Sequence, residues 1–265
     1  MSGSTLFHAL PGVANIDAML KQQFGTGLLT GENPASGDFS HLIMAVAVVL
    51  FVIFLAIRYA GIRAKAENPM LPEANLNARS VVEIISEATF GMMEGVMGKE
   101  AAKFFFPLIG TLAFFILFSN LAGLIPGLLP PTDKLSTTIA PALIVFFATH
   151  IYGVKKNGIE HFKHMCGPML VLAPLILVIE LISHCVRPIS LALRLFGNMV
   201  GDHMVLGIFL GLVPWIVPIP IMVLGTIVCV VQTLVFCLLS VVYISLAIED
   251  LSHGHDDHAG EAHAH

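Results

Sequence analysis

An almost uninterrupted apolar stretch from Pro168 to Leu212 constrains this chain more than any other feature. It has about 45 residues, and a second stretch of about 32 residues follows from Val217 to Ile248. A helix that crosses a bilayer perpendicularly needs only about 20 residues, because the hydrocarbon core is about 30 Å thick. Helices of these lengths must tilt steeply, break or both, and Pro188 permits a bend. We therefore expect a long, strongly tilted helical hairpin in a membrane.

The composition agrees with this expectation and excludes several classes of protein. Hydrophobic residues make up 56% of the chain and charged residues only 12%, against about 25% charged in soluble domains. The 13 Lys and Arg residues are scattered, so they do not form the basic patch that binds nucleic acid. The four cysteines lack CxxC spacing, and we interpret them as small apolar residues of helices.

Three shorter apolar stretches precede the hairpin, at about 41–57, 104–125 and 138–154. Residues 76–97 alternate apolar and acidic side chains at helical spacing, which predicts an amphipathic helix at the interface or against other helices. The predicted fold is an all-α integral membrane protein with about five membrane segments. Its predicted parts are an outside N-terminal segment (1–40), segments one to three (41–165), the hairpin with the ion path (166–250) and a disordered His-rich tail (251–265).

The loops predict the orientation of the chain. Lys and Arg cluster after segments one and three, whereas the alternate loops hold only Lys134. Since cytoplasmic loops carry the excess of basic residues, the N-terminus should lie outside and the C-terminus in the cytoplasm. The basic residues that carry this inference are Arg58, Arg63, Lys65, Arg79, Lys155, Lys156 and Lys163.

Charged side chains occur in the hairpin where lipid does not tolerate them. Glu180, Arg187 and Arg194 are seven residues apart and share one helix face. A charge at the bilayer centre costs about 2.5–3.5 kcal/mol on insertion scales, so partners or water must accompany it. One alternative is that pairs such as Glu180 with Arg187 only hold helices together, although buried ion pairs add little stability. Other residues that fall on or near this face are Ser183, His184, Ser190, Asn198, Gly201 and Asp202.

The order of these groups along the helix suggests a function. Glu180 lies toward the cytoplasmic end, Arg194 past the middle, and Asp202 and His203 toward the outside. Carboxyl and imidazole groups exchange protons, whereas a guanidinium keeps its proton. The pattern predicts two half-paths for protons separated by a positive barrier. The chain offers no mobile carboxylate, so the proton carrier should belong to another subunit.

The run from Ser190 to Met199, SLALRLFGNM, resembles the signature of subunit a of rotary F-type ATP synthases. Gln232 in the last segment and Asn120 within FSNLAG also match, and the likeness covers about residues 40–250. The resemblance implies the stator subunit of the membrane Fo sector in a bacterial inner membrane. Its implied partners are a c-ring of carboxylate-bearing hairpin subunits, peripheral-stalk b subunits and the lipid bilayer. It implies no cofactor and no direct ATP binding, and it leaves H⁺ or Na⁺ open as the coupling ion.

The resemblance also assigns roles to residues. Arg194 matches the essential arginine that attracts the deprotonated c-ring carboxylate and blocks a direct leak. Glu180 and Ser183 match the cytoplasmic half-channel, where His184 either relays protons or packs. The remaining matches lie near Arg194 or along the outer half-channel, and they are Asn120, Asn198, His203 and Gln232.

This chain departs from the family pattern at three positions of the outer half-channel. Gly225 stands where some bacterial relatives carry histidine, and Gly123 where some carry an acid, whereas Asp202 has no counterpart. We expect Asp202 and His203 together to replace the missing outer relay; the alternative is that one of the two only solvates the helix end.

Two other polar side chains, Arg187 and His150, lie outside these assignments. Arg187 is a second barrier, an interfacial anchor or a partner of Glu180, and a structural or electrostatic role is favoured. His150, near the end of segment three, is expected to be structural.

Two further motifs and two other functions agree less well with the sequence. Gly98-Lys99 lacks the remaining residues of a Walker A loop, so this motif predicts no ATP binding. The histidines of the tail fit no fixed coordination geometry, so no metal site is predicted. A secondary transporter could use Arg194 to bind an anion, but no internal repeat is apparent and bulky Leu195 and Phe196 flank the arginine. A purely structural scaffold would leave the titratable groups on both sides of Arg194 unexplained.

Overall fold

A computed structural model describes residues 40–65, 78–125, 128, 130–157, 173–212 and 218–249. These ranges are helical and contain no strand, which confirms the predicted all-α fold. The helices are α1 (Ser40–Lys65), α2 (Ala78–Met97), α3 (Lys99–Gly123), α4 (Leu135–Asn157), α5 (Ala173–Leu212) and α6 (Pro218–Glu249), with a 3₁₀ turn at Pro131–Asp133. The first 39 residues and the His-rich tail lie outside the described part.

Five of these helices are long and apolar enough to cross a membrane, as predicted. The candidate spans are His41–Ala64, Lys99–Gly123, Leu135–Lys155, Ile182–Gly211 and Ile219–Ile248. The predicted end of the first span at residue 57 was too early, because α1 continues past Arg58 and Arg63. Long basic side chains can reach the aqueous interface while their backbone stays helical.

The two longest helices form the predicted hairpin. Helix α5 has 40 residues and α6 has 32, so they are about 60 Å and 48 Å long at 1.5 Å per residue. Pro188 lies inside α5, which is continuous across it. The length of α5 therefore requires tilt in a hydrocarbon core of about 30 Å.

Helix α6 lies at the centre of the bundle, where it packs against α2, α3, α4 and α5. One apolar cluster joins α6 to α2 and α3 around Met93, Phe105 and Val241. A second cluster joins α6 to α3, α4 and α5 around Ile116, Leu195 and Phe236. These two clusters fix the hairpin against the shorter spans.

Helix α2 is the predicted amphipathic helix, but its buried side differs from the expectation. Val81 and Ile84, assigned to the apolar face, are 39% and 59% exposed. Arg79 and Thr89 are buried instead. Arg79 tolerates this position because its Nε lies 2.7 Å from Glu83 Oε1, one turn along the same helix.

A single residue joins α2 to α3. Gly98 adopts φ +78°, a left-handed conformation that a residue without Cβ reaches at little cost. Its amide donates to Glu94 O and its carbonyl accepts from Ala102 N. The chain thus turns from the amphipathic helix into a membrane span without a loop.

Candidate ion path along the hairpin

Contacts between α5 and α6 place the predicted polar residues in order along the hairpin. The Arg187 guanidinium lies 5.3 Å from the centre of the Tyr243 ring. Farther along, Asn198 Nδ2 donates a hydrogen bond to Gln232 Oε1 at 2.5 Å. The helices are therefore antiparallel neighbours over this length. We call the end that holds the 3₁₀ turn the Thr132 end, and the opposite end the His184 end.

Arg194 lies between these contacts, and its side chain is exposed. Within the described residues it has no ion pair and no hydrogen bond. Gly197 and Gly201 lie on the same exposed side, and a Cβ built at either glycine would meet nothing within 4 Å. The cation is thus presented on an open helix surface with small neighbours, where another helix can approach closely.

The bulky sequence neighbours of Arg194 do not crowd it as the sequence suggested. Leu195 is fully buried in the second apolar cluster. Because successive residues of a helix point in different directions, the side chains beside Arg194 on its own face come from neighbouring turns. Leu195, which flanks Arg194 in the sequence, therefore does not lie beside it on the exposed surface.

The Asn198–Gln232 hydrogen bond agrees with the match of both residues to polar positions near the arginine. Asn198 follows Arg194 by one turn, and Gln232 is 4% exposed. The other amide atom of Gln232, Nε2, is buried without a hydrogen-bond partner among the described residues. A buried amide donor of this kind usually binds water.

At the Thr132 end, the turn between α3 and α4 is packed into the bundle. Thr132 and Asn120 are both buried, and Thr132 Oγ1 donates to Asn120 Oδ1 at 3.1 Å. Ser119 Oγ is buried beside them and has no partner in the described part of the chain. This end of the bundle therefore has a polar interior that Asn120 borders.

The predicted outer residues Asp202 and His203 lie on α5 toward the same end. Both are partly buried. His203 Nδ1 is buried without a hydrogen-bond partner in the described ranges. Asp202 is close enough to Cys229 of α6 to interact with it electrostatically. Helix α5 thus contributes two titratable side chains to the polar interior.

Asp133 is a neighbour of His203 that the sequence analysis missed. It ends the 3₁₀ turn, and its amide donates to Pro130 O at 3.2 Å. Burial raises the pKa of its carboxyl above the ordinary value of 3.8, while the charges of His203 and Lys134 lower it in part. In the sequence, only the two prolines before Thr132 hint that this turn is fixed.

The His184 end contains a small, partly open pocket between α4, α5 and α6. Its polar lining includes His150, His184, Arg187 and Tyr243. The rings of His150 and His184 lie edge to face, with centres 5.3 Å apart. His184 therefore lines this pocket. His150, which was predicted to be structural, lines it as well.

Three further predicted residues of α5 belong to this end, Ser183, Glu180 and Arg187. Ser183 is partly buried on α5. Glu180 also belongs to α5, but its side chain lies outside the described part of the structure. Arg187, for which a structural or electrostatic role was favoured, stacks over Tyr243. Such cation–π contacts contribute about 0.5–2 kcal/mol.

Comparison with known proteins decides the family. The family model of the ATP synthase A chain matches residues 39–245. ATP synthase subunit a of Sorangium cellulosum is 46% identical over 212 residues, which cover 80% of this chain and 83% of that protein. This chain belongs to the ATP synthase subunit a family. Other members are subunit a 1 of Syntrophotalea carbinolica, 51% identical over 180 residues (68% of this chain, 76% of the relative), and subunit a of Geobacter sulfurreducens, 45% identical over 206 residues (78% and 88%).

The structure gives a packing reason for the two glycines at which this subunit a family member departs from the pattern. A Cβ on Gly123 would overlap the Met199 methyl and lie 2.8 Å from Pro130 Cβ. A Cβ on Gly225 would lie 2.6 Å from Leu124 Cδ2. A side chain at Gly123 would require Pro130 and Met199 to move, whereas one at Gly225 would displace only the end of the flexible Leu124 side chain.

Proposed function

We propose that this protein is the stator subunit of the Fo sector and carries protons to and from a rotating c-ring through two half-channels separated by Arg194. One observation carries the proposal. Arg194 is an exposed cation on a membrane hairpin, between two polar regions, and has no acceptor among the described residues. An unpaired charge at membrane depth is costly, so an acceptor on another subunit is required.

The c-ring carboxylate is the acceptor that fits this surface. Gly197 and Gly201 leave room for a ring helix to pass close to Arg194. A carboxylate that has lost its proton pairs with the guanidinium, and a protonated one does not. Because the guanidinium keeps its proton, it blocks direct proton transfer between the two half-channels. A ring carboxylate passes Arg194 only in its deprotonated form.

The Thr132 end is assigned to the outer half-channel. Its support is the buried polar interior with unpartnered atoms on Ser119, His203 and Gln232, since such atoms are normally hydrated. Protons enter from outside past Asn120, Asp202 and His203 and neutralise the ring carboxylate. Asn198 and Gln232 brace the hairpin beside Arg194 through their mutual hydrogen bond.

The His184 end is assigned to the cytoplasmic half-channel. Its support is the pocket lined by His184 and Arg187, together with the basic loops predicted to lie in the cytoplasm. A proton released by the ring leaves past His184, Ser183 and Glu180. The membrane potential drives this transfer with about 2.3 kcal/mol per charge per 100 mV.

The remaining assignments follow from the same proposal. The partners are the c-ring, the peripheral-stalk b subunits and the lipid bilayer, and the location is a bacterial inner membrane with the N-terminus outside. Nucleotide chemistry takes place on other subunits of the synthase. A transporter that binds an anion at Arg194 is disfavoured, because this side chain lies on an exposed helix surface.

ATP-driven acidification of inverted membrane vesicles tests the proposal. We expect Arg194→Ala to lower proton pumping by at least about 100-fold at equal complex content, the scale of loss when one charge-stabilising group is removed. Arg58→Ala on the exposed surface of α1 is the matched control and should pump normally. Normal pumping by Arg194→Ala in assembled complexes would refute the proposal.

A further inference from the structure

We infer that His150 of α4 extends the cytoplasmic half-channel, taking protons from His184 of α5 and releasing them to cytoplasmic water. The inference rests on the proposed function and adds a residue from a helix outside the hairpin. In each transfer, an N–H bond of the His184 imidazolium breaks and a new N–H bond forms at His150 Nε2. That bond breaks in turn when the proton passes to water, so both rings return to the neutral form.

The two imidazole rings lie next to each other where α4 packs against α5. Their centres are 5.3 Å apart, and their planes are inclined by 72°. Both rings line the small pocket between α4, α5 and α6, which has space for a water molecule. Protons pass between groups that are hydrogen-bonded directly or through one water. At this separation, one water in the pocket is enough to connect a nitrogen of one ring with a nitrogen of the other.

A hydrogen bond within α4 fixes the orientation of the His150 ring. Its Nδ1 lies 2.9 Å from the carbonyl oxygen of Phe146, one turn earlier in the helix. Because a carbonyl oxygen only accepts, Nδ1 carries a hydrogen and donates it. The other nitrogen, Nε2, is then the acceptor of the neutral ring. His150 thus has one nitrogen that holds the ring in place and one that can take up and release a proton.

The lining of the pocket leaves the two histidines as its proton-transfer groups. Among the described residues, the charged or titratable side chains that line it are His150 on α4, His184 and Arg187 on α5, and Tyr243 on α6. A guanidinium keeps its proton, and a phenol ordinarily does so at neutral pH. An imidazole exchanges its proton in this range. Arg187 and Tyr243 are also held against each other, with the guanidinium 5.3 Å from the ring centre.

The position of His150 along α4 agrees with a role at the cytoplasmic exit. It lies five residues before Lys155, close to the end of the helix at Asn157. At 1.5 Å per residue, His150 and Lys155 are about 8 Å apart along the axis. The basic segment that follows is the one predicted to lie in the cytoplasm. Helix α4 therefore leads from the pair of histidines toward the side on which the protons are released.

His150 also has a packing role that the experiment must separate from proton transfer. Its ring centre lies 4.2 Å from that of Phe146. Phenylalanine keeps a flat ring at this position but cannot carry a proton. His150→Phe therefore removes proton transfer while most of the packing is retained.

The experiment measures passive proton flux through the Fo sector in inverted vesicles after the nucleotide-binding sector has been removed, at equal complex content. We expect His150→Phe to lower the flux by about tenfold, at the weak end of acid–base effects because Glu180 remains. Tyr152→Phe is the matched control and should not change the flux. It removes a hydroxyl from the same helix, on the side that packs against Phe104 and Phe105.

Chemical rescue provides a second measurement, to which a residue that only packs would not respond. His150→Ala leaves space where the ring was, and imidazole in the medium, which is the cytoplasmic side of inverted vesicles, should raise its flux toward the wild-type value. His150→Phe fills that space and should not respond at the same imidazole concentration, which corrects for effects of the base on the vesicles. A flux of His150→Ala that imidazole does not raise would overturn the inference.

A double variant tests whether the two histidines act in series. If they do, adding His150→Phe to His184→Phe should cause no further loss. Losses that multiply would overturn the series, as would a normal flux in His150→Phe. Arg194→Ala is measured for pumping in the same set of vesicles: if it pumps normally, the proposed function fails, whereas its failure to pump beside a normal His150→Phe variant overturns only the role of His150.

Discussion

Arg79 and Arg194 are both arginines on helices of one membrane protein, but their surroundings are opposite. Arg79 on α2 is 2% exposed and is paired with Glu83 one turn away. Arg194 on α5 is exposed and has no ion pair within the described residues. The first charge is neutralised inside the chain, and the second is displayed on a surface beside two glycines with open space around them.

Under the proposed function, this difference separates a structural charge from the charge that acts on the ring. A buried pair is destabilised strongly when one partner is removed, because the other charge stays behind uncompensated. An exposed charge contributes little to the stability of its own chain. The burial of an arginine side chain and the presence of an ion-pair partner are therefore better indicators of its role than its residue type or its position in the sequence.

The largest expected effect on stability tests this contrast directly. Arg79→Ala should cost the folded chain about 3 kcal/mol, because it removes a buried side chain together with its ion pair to the partly buried Glu83. We expect a marked fall in the amount of assembled subunit, measured by quantitative blotting of membranes, while the surviving complexes pump normally per subunit. Arg194→Ala should show the reverse, with normal amounts and no pumping.

Two outcomes would break the contrast between the arginines. Normal amounts of the Arg79→Ala chain would mean that its pair with Glu83 is not structural. Loss of pumping per surviving complex would place Arg79 in the ion path. Adding Glu83→Ala to Arg79→Ala should recover part of the lost protein, because no uncompensated charge then remains.

Matched glycine substitutions give a smaller effect and sharpen the same comparison. Gly123→Ala introduces a methyl that overlaps Met199 and approaches Pro130, which should destabilise the chain by about 1–3 kcal/mol. Gly201→Ala meets open space and should stabilise α5 by up to about 1 kcal/mol through its helix propensity. The thermal midpoint of the purified complex measures both.

The two glycine substitutions should affect proton pumping in the opposite order to stability. If a ring helix approaches the surface around Arg194, Gly201→Ala should reduce pumping although the chain is stable. Unchanged pumping with a larger side chain, Gly201→Leu, would show that nothing packs closely there. Gly123→Ala should lower the amount of subunit without changing pumping per complex.

The sequence was sufficient to predict the helices of the hairpin, since the length of an apolar stretch determines whether it can cross a membrane. A local motif and a matching residue also predict Arg194, Asn198 and Gln232 as site residues, and Asn198 and Gln232 are hydrogen-bonded in the structure. Helix ends were less predictable, because Arg58 and Arg63 continue α1. The burial of Arg79 depends on how α2 packs, which periodicity alone does not determine.

Asp133 could not be found in the same way. It belongs to a proline-rich segment that indicates only a turn, and its neighbour His203 is 70 residues away in sequence. Contact between a loop and a distant helix turn is produced by the packing of the turn, including the Thr132–Asn120 hydrogen bond. Pro130, at the start of the same turn, also limits the space for a side chain at Gly123.

The smallest expected effect concerns the stability cost of the Asp133 carboxylate. Burial raises its pKa above 3.8 in the folded protein, so the folded state binds this proton more tightly than the unfolded state does. Wild type and Asp133→Asn should therefore be equally stable below pH 3.8. As the pH rises through the raised pKa, the wild type should lose stability relative to the variant, because the charged carboxylate is poorly solvated.

At neutral pH we therefore expect Asp133→Asn to have a slightly higher thermal midpoint than the wild-type complex. Asp133→Glu, which keeps the charge, should not gain this stability. A lower midpoint for Asp133→Asn at neutral pH would mean that attraction to Lys134, His203 or the start of α4 exceeds the cost of burial. The carboxylate would then be a structural group like Arg79, and the contrast between structural and functional charges would have to be redrawn at this end of the molecule.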